Sequence, residues 1–198
     1  MSVKMKNRHG GVVTVYVKDI SIGAYGLDDA MPPRYSPLLI NTFHAMSRLT
    51  SLKSISSLSI VVPEGARSTL LYTTVEAFTS PEWRRLLQSL ENLTSLVVPL
   101  PFSLLPMQVV ILSSSSFTMV CPRLKHVSIT TDIPADEVHD KQLRRITKFV
   151  KARYDAGFAL SGLDVNVSVA TPISDEVRVD YTKTWESSVG EVAFSVRF

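Results

Sequence analysis

The stretches NLTSLVVP (residues 92–99) and PRLKHVSIT (residues 122–130) share one spacing of apolar residues. The residues at positions i, i+3 and i+5 of this spacing are Leu93, Leu96 and Val98 in the first stretch, and Leu124, Val127 and Ile129 in the second. Because alternate residues of a strand lie on the same face of its sheet, the spacing predicts a strand whose template residues face inward.

This spacing, called the template, recurs along the chain. Its further members are Val12, Val15 and Val17; Ile55, Leu58 and Ile60; Leu160, Leu163 and Val165; and Val189, Val192 and Phe194. The template therefore begins six times, at positions 12, 55, 93, 124, 160 and 189. It predicts strands near 12–17, 57–62, 94–98, 125–129, 162–168 and 191–196, all in one sheet.

Helical patterns separate these strands. Ser36-Pro37 and Ser80-Pro81 each offer an N-cap followed by proline at the first helical position, and Pro134 opens a third helix that Gly157 ends. The predicted apolar stripes are Leu39, Phe43, Met46 and Leu49; Trp83, Leu86, Leu87 and Leu90; and Leu143, Ile146, Val150 and Tyr154.

Alternation of strand and helix with a period of about 20–50 residues is typical of solenoids. The sequence therefore predicts an α/β fold, an irregular leucine-rich-repeat-like solenoid with one mainly parallel sheet, as a single domain over residues 1–198. A compact α/β domain built of βα units would generate the same alternation, and it stays open as the alternative.

Composition indicates a globular protein, with 45% hydrophobic and 20% charged residues and a net charge of +3. One cysteine, Cys121, fits a reducing compartment, and the polar N-terminus lacks the apolar core of a secretory signal. We therefore expect an intracellular protein, cytoplasmic or nuclear. The uncharged residues 92–122 are interpreted as a buried strand followed by a buried helix rather than a membrane span, because three prolines interrupt them.

Three stretches carry a family resemblance. SPEWRRLLQSLENLTSLVV (80–98), CPRLKHVSI (121–129) and FVKARYDAGFALSGLDV (149–165) resemble segments of the leucine-rich-repeat region of fungal F-box-like proteins. The resemblance implies a substrate receptor of a cullin-based ubiquitin ligase. No segment of the sequence resembles an F-box. The ligase context is therefore implied by resemblance only. Because strand patterns begin and end the sequence without polar capping units, we expect an incomplete array of repeats that is poorly soluble alone.

Catalytic chemistry has one weak candidate. Cys121, His126 and Asp132 supply a thiol, a base and an orienting acid, but nothing in the sequence places the imidazole beside the thiol. A Cys121-dependent enzyme is therefore the least favoured alternative, and we predict no enzyme. The scattered histidines have no metal-ligand spacing, so we predict neither a metal nor a cofactor.

A basic helix over residues 141–153 offers a second alternative, a small nucleic-acid-binding α/β protein. Lys141, Arg144, Arg145, Lys148 and Lys151 lie opposite the predicted apolar stripe, although a solvated helix face has the same composition. The favoured prediction is a non-catalytic protein-interaction module. The predicted contact residues, on the open side of the sheet, are Tyr16, Thr94, Ser95, Lys125, His126, Ser128 and Asp164.

Overall fold

The computed structural model describes residues 2–7, 12–16, 36–48, 52–61, 77–99, 104, 106–107, 110–113, 116–133, 139–169 and 173–197. The strands are β1 (Ser2–Asn7), β2 (Val12–Tyr16), β3 (Ile55–Val61), β4 (Ser95–Val98), β5 (Val110–Ser113), β6 (Ser116–Met119), β7 (His126–Ile133), β8 (Leu160–Val169) and β9 (Val189–Arg197). The α-helices are α1 (Ser36–Ser47), α2 (Pro81–Ser89), α3 (His139–Asp155) and α4 (Asp175–Glu186), and a 3-10 turn spans Leu52–Ser54.

Seven of the strands form one sheet in the order β2-β1-β3-β4-β7-β8-β9. The neighbours from β3 to β9 are all parallel. Parallel neighbours need a crossover connection, and α2, α3 and α4 each lie in one of these connections. All six strands predicted from the template are in this sheet, which confirms the α/β fold with one mainly parallel sheet.

The N-terminal part of the sheet differs from the prediction. The sequence analysis placed no strand before residue 12, but β1 lies between β2 and β3 and pairs antiparallel with both. The signal was the alternation of Val3 and Met5, both buried, with Lys4 and Lys6, both exposed. Because β1 lies between β2 and β3, it separates β2 from the parallel part of the sheet.

The template residues form continuous rows across the parallel strands. One row, fixed by the strand register, comprises Leu58, Leu96, Val127, Leu163 and Val192. A second row comprises Val98, Ile129, Val165 and Phe194. Every member on β3 to β8 is buried, whereas the two members on β9 are half-buried. The rows belong to one hydrophobic core cluster, which the helices complete.

Local signals fix the helix boundaries that position these rows. At the start of α2, the backbone N–H of Trp83 donates to the Ser80 hydroxyl at 3.2 Å, so Ser80 is the predicted N-cap. At the end of α3, Gly157 has a φ of 79° and the N–H of Phe158 donates to the Arg153 carbonyl at 2.8 Å. This Schellman arrangement confirms Gly157 as the helix stop. The predicted opening at Pro134 lies outside the described residues, as does Leu49.

The buried face of α3 differs from the predicted stripe at its last position. Leu143, Ile146 and Val150 are buried as predicted, but Tyr154 is 51% exposed. Arg153 is instead 0% exposed and continues the buried face. A pattern of apolar residues cannot identify an arginine as a core residue, because its guanidinium needs hydrogen-bond partners that only the folded chain supplies.

Two further elements correct the sequence interpretation. The uncharged stretch 92–122 contains β4 and then the antiparallel pair β5–β6, rather than a strand followed by a helix. The β-branched residues at 109–111 and the serines at 113–116 favour a hairpin over a helix. Helix α4 was not predicted, although Ser174 caps it, with the N–H of Val177 donating to its hydroxyl at 3.3 Å.

Candidate functional site

The side of the sheet opposite the template residues remains at the surface, and we call it the open face. Register places two rows of its residues side by side across β1, β3, β4, β7, β8 and β9. The rows are Lys6, Ser57, Ser95, His126, Gly162 and Glu191, and then Lys4, Ser59, Val97, Ser128, Asp164 and Ala193. All of these residues are exposed or half-buried.

The open face changes in charge from one end to the other. Exposed Lys4 and Lys6 on β1 make one end basic, whereas exposed Asp164 and Glu191 on β8 and β9 add negative charge at the other end, where exposed Arg197 lies on the same side of β9. Small hydroxylic side chains occupy the middle. An elongated partner with the opposite charge order would therefore bind this face in one orientation, because complementary charge fixes register more than it adds affinity.

Four of the seven predicted contact residues (Ser95, His126, Ser128 and Asp164) lie on the open face, and Thr94 and Lys125 lie at the strand starts beside it. Ser95 and His126 are direct neighbours across β4 and β7, and Ser128 and Asp164 are neighbours across β7 and β8. Thr94 and Lys125 immediately precede these strands, and both are exposed. The structure therefore brings these six residues into one surface.

Tyr16, the seventh predicted contact residue, lies apart from this group. It is on β2, where it pairs with Ser2, and two strands separate β2 from β4. The described backbone places it at the far edge of the sheet, and its side chain lies outside the described residues. The position beside Ser57 and Ser59 belongs instead to the lysines of β1.

His126 lies near the centre of the open face, and its neighbour on β8, Gly162, leaves room for the imidazole. A Cβ atom added at Gly162 would lie 2.7 Å from Nδ1 of His126, so the imidazole rests against the strand where another residue would have a side chain. His126 is exposed. It is thus the large polar side chain in a region of small ones, which suits it to contact a partner.

Equivalent backbone hydrogen bonds join the starts of β4, β7 and β8 to the neighbouring strand. The N–H of Thr94 donates to the Ser56 carbonyl at 2.8 Å, that of Lys125 to Thr94 at 2.9 Å, and that of Ser161 to Lys125 at 2.8 Å. At the next equivalent position, a Cβ atom added at Gly190 would lie 2.9 Å from the Ser161 carbonyl oxygen. These residues hold the same position in each template, so the units stack in register.

A groove of about 610 Å³ continues from the open face at this line of strand starts. Its polar lining comes from Lys125, Tyr154, Ser161, Glu186 and Glu191. The phenol of Tyr154, displaced from the core by Arg153, is therefore available at this end of the face. The groove adds an aromatic side chain, which sequence reasoning had assigned to the core, to the candidate surface.

Cys121 does not form a reactive pair with His126 in this fold. The thiol is buried and donates to the Leu87 carbonyl at 3.3 Å, whereas His126 is exposed on the strand that follows. Burial raises the pKa of Cys121 to about 12, despite the opposing positive charge of Arg153. A nucleophilic cysteine requires the thiolate, so this environment disfavours the Cys121-dependent chemistry.

Arg153 connects the three stretches that carry the family resemblance. Its Nη1 and Nη2 atoms donate to the carbonyl oxygens of Val120 and Cys121 at 3.2 and 3.0 Å. The Cys121 thiol in turn contacts the carbonyl of Leu87 in α2. Burial lowers the pKa of Arg153 to about 10, so the guanidinium stays charged at neutral pH. The motif residues therefore meet in the core, where they fix the start of β7.

The basic face of α3 is partly neutralised by an acidic residue of the same helix. Lys141, Lys148 and Lys151 are exposed, but the Arg144 guanidinium pairs with Asp140, which also accepts a hydrogen bond from Tyr181 in α4. The Tyr181 hydrogen bond, ahead of Arg144, holds the pKa of Asp140 below its usual value. Arg144 stays largely exposed and Arg145 is half-buried, so the cationic surface comprises the three lysines together with a partly neutralised Arg144.

In the described part of the chain, no three His, Cys, Asp or Glu side chains lie close enough together to hold a metal ion. Among the same residues, no helix is both long and apolar enough to cross a membrane. Comparisons with protein-family models, curated proteins and solved structures find no match to this chain.

Proposed function

We propose that this chain is a non-catalytic protein-interaction module that binds its partner on the open face. The observation that carries the proposal is the difference between the two sides of the sheet. The template side is buried beneath the helices in one core, whereas the residues between template positions remain at the surface. A regular, polar surface of this kind across six strands supports protein binding, since stacked repeats commonly bind partners on such extended faces.

We further propose that the strand–helix units form an irregular leucine-rich-repeat-like solenoid. Two observations support this interpretation. Equivalent template residues align as buried rows across the parallel strands, and equivalent backbone groups at Thr94, Lys125 and Ser161 repeat one hydrogen bond from unit to unit. In a solenoid each unit contacts its neighbours, so a partner can span several units at once.

The ubiquitin-ligase context is proposed from the family resemblance. Its support is that the three resembling stretches contact one another through Arg153, Cys121 and Leu87, as parts of a shared repeat core would. The open face would then serve as the receptor surface for a protein substrate. Ligase recruitment would need an F-box that the 198-residue sequence does not contain.

Affinity purification with three matched baits tests the binding surface. The baits are the wild-type chain, the open-face variant Lys125→Ala/His126→Ala, and the helix variant Lys148→Ala/Lys151→Ala as a control. All four side chains are exposed, so we expect folding to be unchanged. A protein partner should be recovered with the wild type and the helix variant, and binding to the open-face variant should be at least about tenfold weaker.

The outcomes separate the proposed function from the alternatives. A purified partner that binds the open-face variant as tightly as the wild type would exclude this face as the site. Recovery of RNA that is lost only with the helix variant would favour the nucleic-acid alternative. Co-purification of ubiquitin-ligase subunits with a longer product that carries an F-box would support the receptor role. If such a product does not recover ligase subunits, the chain would be a binding module without a ligase role.

A further inference from the structure

The last strand of the sheet presents an unpaired edge of nine residues. Strand β9 (Val189–Arg197) pairs with β8 on one side, and among the described residues no strand pairs with its other side. An exposed edge of this length is a template for pairing with another chain. The residues of β9 indicate what kind of chain would pair with this edge.

The template side of this edge is incompletely buried. Val192, Phe194 and Val196 pack against the core but are only half-buried, whereas Leu163 and Val165, their neighbours on β8, are buried. The covering helix α4 also leaves Val177 and Val179 exposed, at 38% and 43%. Apolar surface is therefore available beside the unpaired backbone groups, and a further strand at this edge would cover it.

We propose that β9 pairs antiparallel with β9 of a second copy of this chain, in a two-fold register centred on Phe194. In this register Phe194 lies opposite the Phe194 of the second copy, and Val192 lies opposite Val196. Antiparallel pairing about a two-fold axis keeps the template sides of both copies on one side of the joined sheet. It therefore places apolar residues against apolar residues.

The charges on the other side of β9 support the same register. Exposed Glu191 lies three residues before Phe194, and exposed Arg197 lies three residues after it. The two-fold axis therefore places each Glu191 opposite Arg197 of the second copy, with only the small Ala193 and Ser195 between. Directly opposed residues in antiparallel strands interact favourably when their charges are opposite and unfavourably when they are alike. The edge is thus complementary to itself in both apolar and charged positions.

An isologous contact of this kind closes as a dimer rather than growing into a fibre. It would also join the two open faces into one surface, since both lie on the same side of the extended sheet. The inference rests on β9 alone and does not depend on what the open face binds.

Charge exchange tests the register without disturbing the core. Glu191→Arg and Arg197→Glu each place like charges opposite one another in both halves of the dimer, whereas the double variant restores opposite charges. Glu176→Arg, an exposed acid near the start of α4, makes the same change of charge away from β9 and is the control. Sedimentation equilibrium from about 1 µM to about 1 mM measures the dimer dissociation constant of each protein.

We expect the wild type to form a dimer and each single variant to raise the dissociation constant at least about tenfold, which corresponds to about 1.4 kcal/mol. The double variant and Glu176→Arg should return values within about threefold of the wild type. A wild type that stays monomeric throughout, single variants that dimerise like the wild type, or a double variant as weak as the single ones would each overturn the proposal. Assemblies larger than a dimer would also contradict it.

Discussion

Replacing Arg153 is expected to destabilise the whole domain, although this residue lies in no binding surface. The guanidinium is fully buried, has no carboxylate partner among the described residues, and donates to two backbone carbonyls. Among the described residues, its Nε atom has no hydrogen-bond partner. The site is therefore a balance between charged hydrogen bonds, which stabilise the fold, and the desolvation of a cation, which opposes it.

The magnitude follows from these two contributions. A hydrogen bond to a charged group contributes about 1.5–3 kcal/mol, and truncation to alanine also leaves a cavity in the core. The carbonyl groups cannot be removed with the arginine, so Arg153→Ala leaves the Val120 oxygen without this donor. Relief from burying a charge offsets part of the loss. We expect Arg153→Ala to lower the free energy of unfolding by about 2–4 kcal/mol.

The position of Cys121 increases the expected effect. Cys121 has a φ of 51°, a left-handed conformation that is uncommon for a residue other than glycine and is further disfavoured before Pro122. The hydrogen bond from Arg153 to the Cys121 carbonyl holds this conformation at the start of β7. Without it, the turn should relax and expose the thiol.

Two further substitutions separate hydrogen bonding from packing. Arg153→Met keeps an apolar stem but no donors, and Arg153→Lys keeps the charge but cannot span both carbonyl groups. We expect each to cost about 1–2 kcal/mol, less than alanine. Lys151→Ala, an exposed position on the same helix, is the matched control and should change stability by less than about 0.5 kcal/mol.

Urea unfolding followed by tryptophan fluorescence measures these changes, because Trp83 and Trp185 are both fully buried. If the variants differ only in native-state stability, the urea concentration at the unfolding midpoint should shift. The slope of the unfolding free energy against urea concentration should stay unchanged. Arg153→Ala as stable as Lys151→Ala would refute the reasoning. An Arg153→Met variant more stable than the wild type would also refute it, because the desolvation of the cation would then outweigh the carbonyl hydrogen bonds.

Three other predictions follow from the same geometry. Burial raises the pKa of Cys121 to about 12, so an aromatic disulfide reagent at pH 8 should label it only as fast as the protein opens, and rapid labelling of the native protein would contradict this. Burial, and after it the hydrogen bond to Asp140, raises the pKa of Tyr181 from 10.0 to about 12. The phenol proton of Tyr181 therefore contributes stability that is fully present below pH 10 and is lost as the pH rises toward 12. Thermal unfolding of Tyr181→Phe should lack that alkaline loss. Gly190→Ala should lower the free energy of unfolding by about 1–3 kcal/mol, because the added methyl group meets a backbone carbonyl oxygen at 2.9 Å. In the same unfolding assay Gly162→Ala should have a smaller effect, because its methyl group meets only the movable, exposed imidazole of His126.

The candidate site could be predicted where it depends on the template. Residues with the same offset from a template start occupy the same row when the strands pair in parallel, and the predicted contact residues Ser95 and His126 are neighbours for this reason. The same reasoning does not fix how far Tyr16 lies from the other predicted contact residues. Its template was identified, but β1 lies between its strand and the rest of the sheet. Strand order depends on a pairing that the spacing within a strand does not encode.

The order of amino acids is enough to predict the six template strands, the buried side of those from β3 to β9, the start of α2 and the end of α3. Alternating apolar residues, the Ser80 cap and Gly157 act over a few residues, and such local signals can be read from the order of amino acids. Helix α4 was also readable in retrospect, since Val177, Tyr181 and Trp185 recur four residues apart after the Ser174 cap.

The environment of each polar residue depends on contacts that form only in the folded chain. Arg153 belongs to the core because the carbonyls of Val120 and Cys121, more than 30 residues earlier, satisfy its donors. Tyr154, the next residue, is displaced to the surface for the same reason. The edge of β9 is likewise defined by which strands pair, not by its own sequence. Hydrogen-bond partners and strand neighbours come from distant parts of the chain, and burial of a polar group is favourable only where they meet.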